Sequence, residues 1–208
     1  IELLAADVRA GGGPEPACVS GGERRDWFFS AALAARLGLP HLLLFKEQGP
    51  LLYRPEAGAA AVAAGGLEGA AVVHVADLVT EASSYTRSWI PAVRQAGGRM
   101  IRSVNVVDRG QGGIAAIAAA GVPAAALVRV DGELFARLLA AGVIDRGQHD
   151  LLQAYYADPR GSMRAFLEGN PEFLRQALHS DDAKTAARAR LLVDTNPYDL
   201  DLSRLGLG

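Results

Sequence analysis

The stretch Val72-Val73-His74-Val75-Ala76-Asp77-Leu78-Val79-Thr80-Glu81-Ala82-Ser83-Ser84 decides how this chain is read. It opens as an apolar run of strand length with clustered valines, which predicts a strand buried on both faces. The run ends in an acid and gives way to small and hydroxyl-bearing residues before a helical pattern begins at Ser84. Backbone N–H groups at a helix start, joined by the hydroxyls of Thr80, Ser83 and Ser84, suit a phosphate dianion. Asp77, at the carboxyl end of the strand, is placed to reach a ribose hydroxyl or a metal-bound water. The plainer alternative is a helix cap, with Ser83 or Ser84 satisfying orphan amides and nothing bound.

Working outward, strand-like and helix-like segments alternate. Ala17 to Ser20 reads as a short strand that stops at Gly21-Gly22, and Asp26 to Leu37 as a helix with a possible N-cap at its start and Gly38 at its C-cap. His41 to Phe45 and Ala70 to Val75 read as buried parallel strands. Glu47 to Gly69, rich in Gly, Ala and Pro, reads as a long loop with a weak hairpin or helical turn. Ser84 to Ala96 (helix), Met100 to Val107 (strand), Gly113 to Ala120 (helix), Ala124 to Val130 (strand) and Glu133 to Ala141 (helix) continue the series. The order predicts an α/β fold, a mainly parallel sheet flanked by helices. Beyond about Asp145 the alternation stops, and Gln148 to Tyr156, Ser162 to Leu167, Pro171 to Leu178 and Asp182 to Val193 read as short helices. Residues 1–145 are therefore assigned to an α/β domain and 146–208 to an α-helical C-terminal extension.

Composition narrows the function classes. The 208 residues carry Lys+Arg 21 against Asp+Glu 23, a net charge of -2, without the basic excess that neutralises a nucleic-acid backbone. No apolar run reaches the ~18 residues of a membrane span. The one cysteine, Cys18, permits no internal disulfide and no cysteine-based zinc cluster, which predicts a fold held by burial alone in a reducing, cytoplasmic setting. The chain begins at Ile1 with no charged-then-apolar leader, so no signal peptide is expected, and whether native residues precede it is left open.

The deciding stretch resembles the 5-phosphoribosyl diphosphate (PRPP) motif of type I phosphoribosyltransferases: an apolar strand, two acids, an apolar pair, then Thr-Thr-Gly-Gly-Ser or Thr. In that alignment Asp77 is the second acid, Leu78 and Val79 the apolar pair, Thr80 the first threonine and Ser84 the closing hydroxyl. Ala76 replaces the first acid, Glu81 the second threonine, and Ala82 with Ser83 the two glycines. Further segments follow in the family's order. Cys18-Val19-Ser20-Gly21-Gly22-Glu23 resembles the pyrophosphate loop, and Lys46-Glu47-Gln48-Gly49 the start of the mobile loop in orotate phosphoribosyltransferases. Val107-Asp108-Arg109-Gly110-Gln111-Gly112-Gly113 resembles the Asp-Arg-x-x-x-Gly segment, whose arginine approaches the base carboxylate. Gly121-Val122-Pro123 matches the Gly-Ile/Val-Pro that leads into the next strand.

The resemblance spans roughly Ile1 to Ala141 and implies the type I phosphoribosyltransferase fold, most similar to the orotate branch. It implies transfer of the 5-phosphoribosyl group of PRPP to a nucleobase such as orotate, with release of pyrophosphate. Asp77 and Lys46 are the expected catalytic residues. Thr80, Glu81, Ala82, Ser83 and Ser84, with Gly21, Gly22, Arg24, Arg25 and Arg109, are the expected substrate-binding set. An anion on the turn requires Glu81 to point outward. Mg²⁺ is the implied cofactor, with no residue assigned as a metal ligand, and a homodimer is the implied assembly.

Departures from the pattern support a second reading. Phe45, Gly49 and Leu51 stand where the family's mobile loop has cations, leaving Arg54 as the only other positive side chain between Lys46 and Asp77. Only sixteen residues precede Ala17, where the family has a longer hood. The alternative is a weak or inactive member that binds or senses PRPP or a nucleoside monophosphate. Arg24 and Arg25 either bind an anion or form a solvated cluster beside Trp27, Phe28 and Phe29, which pack in the core or at a dimer contact. The four histidines show no ligand spacing, Asp181-Asp182 reads as a helix cap, and Tyr155-Tyr156 as a packing pair or a base contact.

Overall fold

The computed structural model describes residues 1–206. The chain divides into two compact units, the first spanning Ile1–Val130 and the second beginning at Asp131. The first opens with α1 (Glu2–Ala10), β1 (Cys18–Gly22), α2 (Asp26–Leu37), β2 (His41–Leu44), β3 (Leu51–Arg54), β4 (Gly58–Ala61) and β5 (Ala71–Val79). A π-helical turn, Tyr85–Trp89, then runs into α3 (Ile90–Gln95), followed by β6 (Arg99–Asp108), α4 (Gly113–Ala119) and β7 (Ala124–Arg129). The sheet has the order β4-β3-β2-β1-β5-β6-β7. Its β2, β1, β5, β6 and β7 are parallel, and β3 and β4 form an antiparallel hairpin on the β2 edge.

Strand alternation divides the core between the two faces. On one face Cys18, Val72, Ala76 and Met100 pack with Trp89, Ile90, Val93 and Ile117. On the other, Val19, Val73, Val75 and Val104 pack with Leu4 and Ala5 of α1 and Leu33 and Ala34 of α2. The sequence reading had no helix before Ala17. The α1 helix forms because Leu4, Ala5 and Val8 recur at helical spacing and find that second face.

The expected α/β architecture is present, with two local corrections and one alternative decided. The strand β1 runs on through Gly21 and Gly22, paired to Leu43 and Leu44, so these glycines end a strand and do not form a loop. The 47–69 segment contains a defined hairpin, closed where Gly58 adopts a φ of 75°. The deciding strand continues past Asp77 to Val79, because β6 pairs with it as far as Val79↔Asp108.

The second unit is helical: α5 (Gly132–Ala140), α6 (Arg146–Ala157), α7 (Pro159–Gly169), α8 (Pro171–Leu178) and α9 (Ala183–Thr195). Asp131, Asp145, Asp158 and Asp182 each cap a helix through a backbone N–H. Leu167, Leu174, Ala189, Leu200 and Leu205 form its core. Tyr156 packs edge-on against Phe135 and Tyr155. No helix among the described residues is long and apolar enough to cross a membrane.

Polar groups are buried inside the first unit. His41 Nε2 lies 2.8 Å from Ser30 Oγ, and His74 Nδ1 lies 2.9 Å from Ser20 Oγ. Burial lowers His41 to a pKa of about 4 and His74 to about 3. Burial pushes the Asp26 carboxyl the other way, up to about 7. A depressed histidine contributes stability that is present above the ordinary value and lost as the pH falls. The raised carboxyl contributes stability that is lost as the pH rises toward neutrality. At about pH 5 the unfolded chain binds two histidine protons that the folded protein refuses, and lacks the one that Asp26 keeps; by about pH 6.5, the ordinary histidine value, half of those two are lost and the difference has nearly closed. The net effect is stability that increases with pH, by about 1 kcal/mol per pH unit near pH 5 and by progressively less toward pH 6.5. Urea denaturation across that window should show this slope, and His41→Gln should flatten it.

Candidate active site

A cleft of about 410 Å³ opens where β1 and β5 part company. The two strands pair only from Cys18↔Val72 to Ser20↔His74, while β5 goes on alongside β6. Past the fork, the N–H groups of Gly22 and Asp77 have no strand partner. The carboxylate of Asp26, on the first turn of α2, accepts both, from Asp77 at 2.9 Å and from Gly22 at 3.1 Å. Asp26 is thus no helix cap: Arg25 occupies that position and makes no side-chain capping bond.

The glycines ending β1 are required by close approach. A Cβ on Gly22 would stand 2.4 Å from the Trp89 indole, and one on Gly21 would overlap the Ser30 hydroxyl. Gly21 and Gly22 therefore shape the wall from behind and do not line the cleft. Trp27, at the start of α2, donates its indole N–H to Gly21 O at 2.9 Å and packs edge-on against Phe45.

Of the predicted site residues, the cleft brings together Arg25, Lys46, Asp77, Thr80, Ala82, Ser83, Ser84 and Arg109. Gly21, Gly22, Arg24 and Glu81 lie outside its lining, and Glu81 is exposed. Sequence reasoning did not single out Glu23, Asp26, Tyr85 or Trp89, which also line it. The signal for Asp26 was an acid placed directly after a strand ending in Gly-Gly and a charged turn.

The Thr80 to Ser84 turn is fixed from two sides. Ala82 takes a φ of 59° with its side chain buried in the core, and Thr86 donates its N–H to Ala82 O at 3.2 Å. Across the turn, α4 starts so close that a Cβ on Gly113 would lie 2.4 Å from Thr80 O. Arg109, just beyond β6, is held by its own N–H bonded to Val79 O at 2.9 Å.

The floor of the cleft is acidic and its rim is basic. Asp77 Oδ1 accepts from the Leu78 N–H at 2.7 Å, while Oδ2 pairs with Arg25 Nε at 3.1 Å. Arg25 is largely exposed and Asp77 largely covered, their side chains being 75 % and 18 % accessible. Lys46 is tied by its backbone N–H to Glu23 Oε1 at 3.0 Å and lines the cleft. Beneath the floor, Tyr85 donates to Asn105 Oδ1 at 2.8 Å and lies 2.8 Å from Ser103 Oγ. Burial raises the Tyr85 phenol well above its ordinary value, against the Ser103 hydrogen bond, so it stays neutral.

The residues present do not build a magnesium site. Ala76 contributes no oxygen ligand, Asp77 is engaged by Leu78 and Arg25, and Asp26 is taken by two amides. Among the described residues no three His, Cys, Asp or Glu side chains gather as a metal site.

The geometry can be set beside known structures. UMP synthase of Leishmania donovani superposes with a TM-score of 0.55 at 19 % identity, covering 74 % of this chain and 32 % of that one. This chain therefore spans about a third of that enzyme's length. Orotate phosphoribosyltransferase from Aeropyrum pernix gives a TM-score of 0.48 at 23 % identity, over 69 % of this chain and 77 % of that one. Adenine phosphoribosyltransferase from Thermoanaerobacter pseudethanolicus gives 0.48 at 24 % identity, over 62 % and 76 %. No protein-family model and no curated protein matches the chain at the level of sequence. The chain has the type I phosphoribosyltransferase fold.

Because α4 abuts Thr80 through backbone, Gly113→Ala must displace the turn. It should destabilise the protein by about 1–3 kcal/mol, read as a lower urea midpoint at unchanged slope.

Proposed function

We propose that the first unit binds PRPP in this cleft and transfers its phosphoribosyl group to a nucleobase bearing a carboxylate, such as orotate. The observation that carries the reading is the gathering, in one cleft, of Asp77 and the hydroxyl-bearing turn with the three cations Arg25, Lys46 and Arg109. Turn amides and the Ser83 and Ser84 hydroxyls hold the 5′-phosphate, and Asp77 accepts from the ribose hydroxyls. Arg25 and Lys46 neutralise the pyrophosphate, and Arg109 orients the base carboxylate. The bond from the anomeric carbon to the pyrophosphate oxygen breaks as the bond to a base ring nitrogen forms, with inversion. The protein's task is positioning and charge stabilisation. Magnesium enters as part of the PRPP substrate. We further propose a cytoplasmic homodimer, to which Phe28, 79 % exposed on α2, offers an apolar contact.

A second reading, in which the cleft binds PRPP or a nucleoside monophosphate without turnover, is favoured by Ala76 and by the Arg25 side chain lying on Asp77. Losing one acid and one loop cation costs about two to three orders of magnitude in rate each.

Calorimetry with ribose 5-phosphate should show binding that Asp77→Ala weakens at least about tenfold. No binding at millimolar ligand would remove both readings. Orotate consumption with PRPP and Mg²⁺ then separates them: the missing groups predict slow turnover, and its absence despite binding leaves the sensor.

A further inference from the structure

One group in the cleft has no part in that scheme. Asp26 is only 12 % accessible in its side chain, yet it lines the cleft beside Asp77. It spans the fork between the two strands, holding Asp77 by the backbone at 2.9 Å and Gly22 at 3.1 Å. Below it His74 Nε2, fully buried and without a hydrogen-bond partner, stands 4.0 Å from Asp26 Oδ2. Two carboxyls therefore sit together, and the cation nearest to them is the exposed Arg25, bonded to the outer one.

We propose that Asp26 is a positioning residue that presents Asp77 to the sugar, and that it takes up a proton when an anionic ligand draws Arg25 off Asp77. The inference rests on the phosphoribosyl reading of the cleft. Its physics is charge balance. While Arg25 covers Asp77, one of the dyad's two charges is compensated. A diphosphate presents Arg25 with a stronger partner than a single carboxylate, and the same ligand needs Asp77 free to accept from ribose hydroxyls. Removing the guanidinium leaves two adjacent carboxyls over an apolar core, where both cannot stay ionised. Asp77 contacts the ligand and keeps its charge, so the proton goes to Asp26.

The surroundings support that assignment. From the N-cap of α2 the charged neighbour is Arg25. From β1 and the turn after it come Ser20, Gly22 and Glu23, and from β5 His74 and Asp77. Tyr85 and Trp89 face it from the π-helical turn, and Lys46 and Arg109 stand at the rim. Burial holds His74 and Tyr85 neutral, and burial together with the Asp77 carboxylate has already raised Asp26 toward neutrality. Asp26 is thus the group in the cluster nearest to changing its charge near pH 7.

The test is calorimetry of PRPP binding at about pH 8 in buffers of differing ionisation enthalpy, where the ligand's own phosphates, with second pKa near about 6, are already ionised. The wild type should take up close to ~1 proton per PRPP bound, so affinity should fall up to about tenfold per pH unit above neutrality. Asp26→Asn should bind PRPP with no proton uptake and a flat pH profile, and Arg25→Gln, which loses one cation for the pyrophosphate, should bind it more weakly and likewise with no uptake and a flat profile. Arg25 is exposed, so its variant keeps the fold even if Asp26→Asn does not. Binding with no uptake in the wild type, or uptake unchanged in Arg25→Gln, would overturn the proposal. A second measurement needs no ligand: in carbon-13 carboxyl spectra of the free protein, Arg25→Gln should move the Asp26 titration to higher pH. An unmoved titration also overturns the proposal, whereas failure of PRPP to bind at all overturns the phosphoribosyl reading.

Discussion

Two backbone amides hold this site together. Where β1 and β5 diverge, the N–H groups of Gly22 and Asp77 lose the ladder that would have paired them, and the Asp26 carboxylate receives both. A buried amide left without a partner costs about 1–3 kcal/mol, so the fork can open only if such an acceptor is supplied. Opening it is what creates the cleft, since strands paired to their ends would leave no room above Asp77. The carboxylate is therefore structural before it is chemical. Its position is set by the first turn of α2, and that helix is placed in turn by Leu33 and Ala34 packed against Val19, Val73 and Val75.

The same fork explains a polar layer that would otherwise be out of place in the middle of a sheet. Ser20, His74, Ser103 and Asn105 are fully buried on adjacent strands directly below the cleft. Each of Ser20, Ser103 and Asn105 is bonded, through His74, Tyr85 or the Ala125 carbonyl. Apolar residues in their place would pack as well, but they would leave the Tyr85 hydroxyl buried and unpaired. Tyr85 opens the helix that follows the binding turn, so the layer ties the turn to the sheet and fixes its height over the strand ends.

How far this was legible in the sequence follows from the range of each interaction. The parallel strands and their helices were readable because their signals are local: valine clusters, helical spacing, Gly38 at a helix end. The gathering of Asp77, the turn, Lys46 and Arg109 was expected from the resemblance of their segments to those of the orotate phosphoribosyltransferases, and the shared cleft lies where their strand ends converge. What escaped was set by partners distant in sequence. The β3–β4 hairpin reads in sequence as a weak hairpin or a helical turn, undecided because its local pattern is weak and β2 supplies the edge on which it forms. Asp26 looked like a capping acid because its true partners include Asp77, 51 residues away. Gly21 and Gly22 looked like a ligand loop, and the Ser30 hydroxyl and Trp89 indole that they admit belong to other elements.

The turn itself shows how an alanine can hold a left-handed backbone conformation. Ala82 and Ser83 stand where the motif it resembles has two glycines, and an alanine held at a φ of 59° costs about 1 kcal/mol or more. That conformation persists because the surroundings over-determine it. The Ala82 methyl is 5 % exposed and belongs to the cluster containing Tyr85 and Trp89, its carbonyl accepts from Thr86, and α4 closes on Thr80 from the far side. A glycine would relieve the strain but would remove the methyl that anchors the turn to the core. Packing thus holds the turn without a glycine at Ala82, and its backbone stays directed toward the cleft. Glu81, the residue whose charge would oppose an anion, is the one the turn leaves exposed and outside the lining.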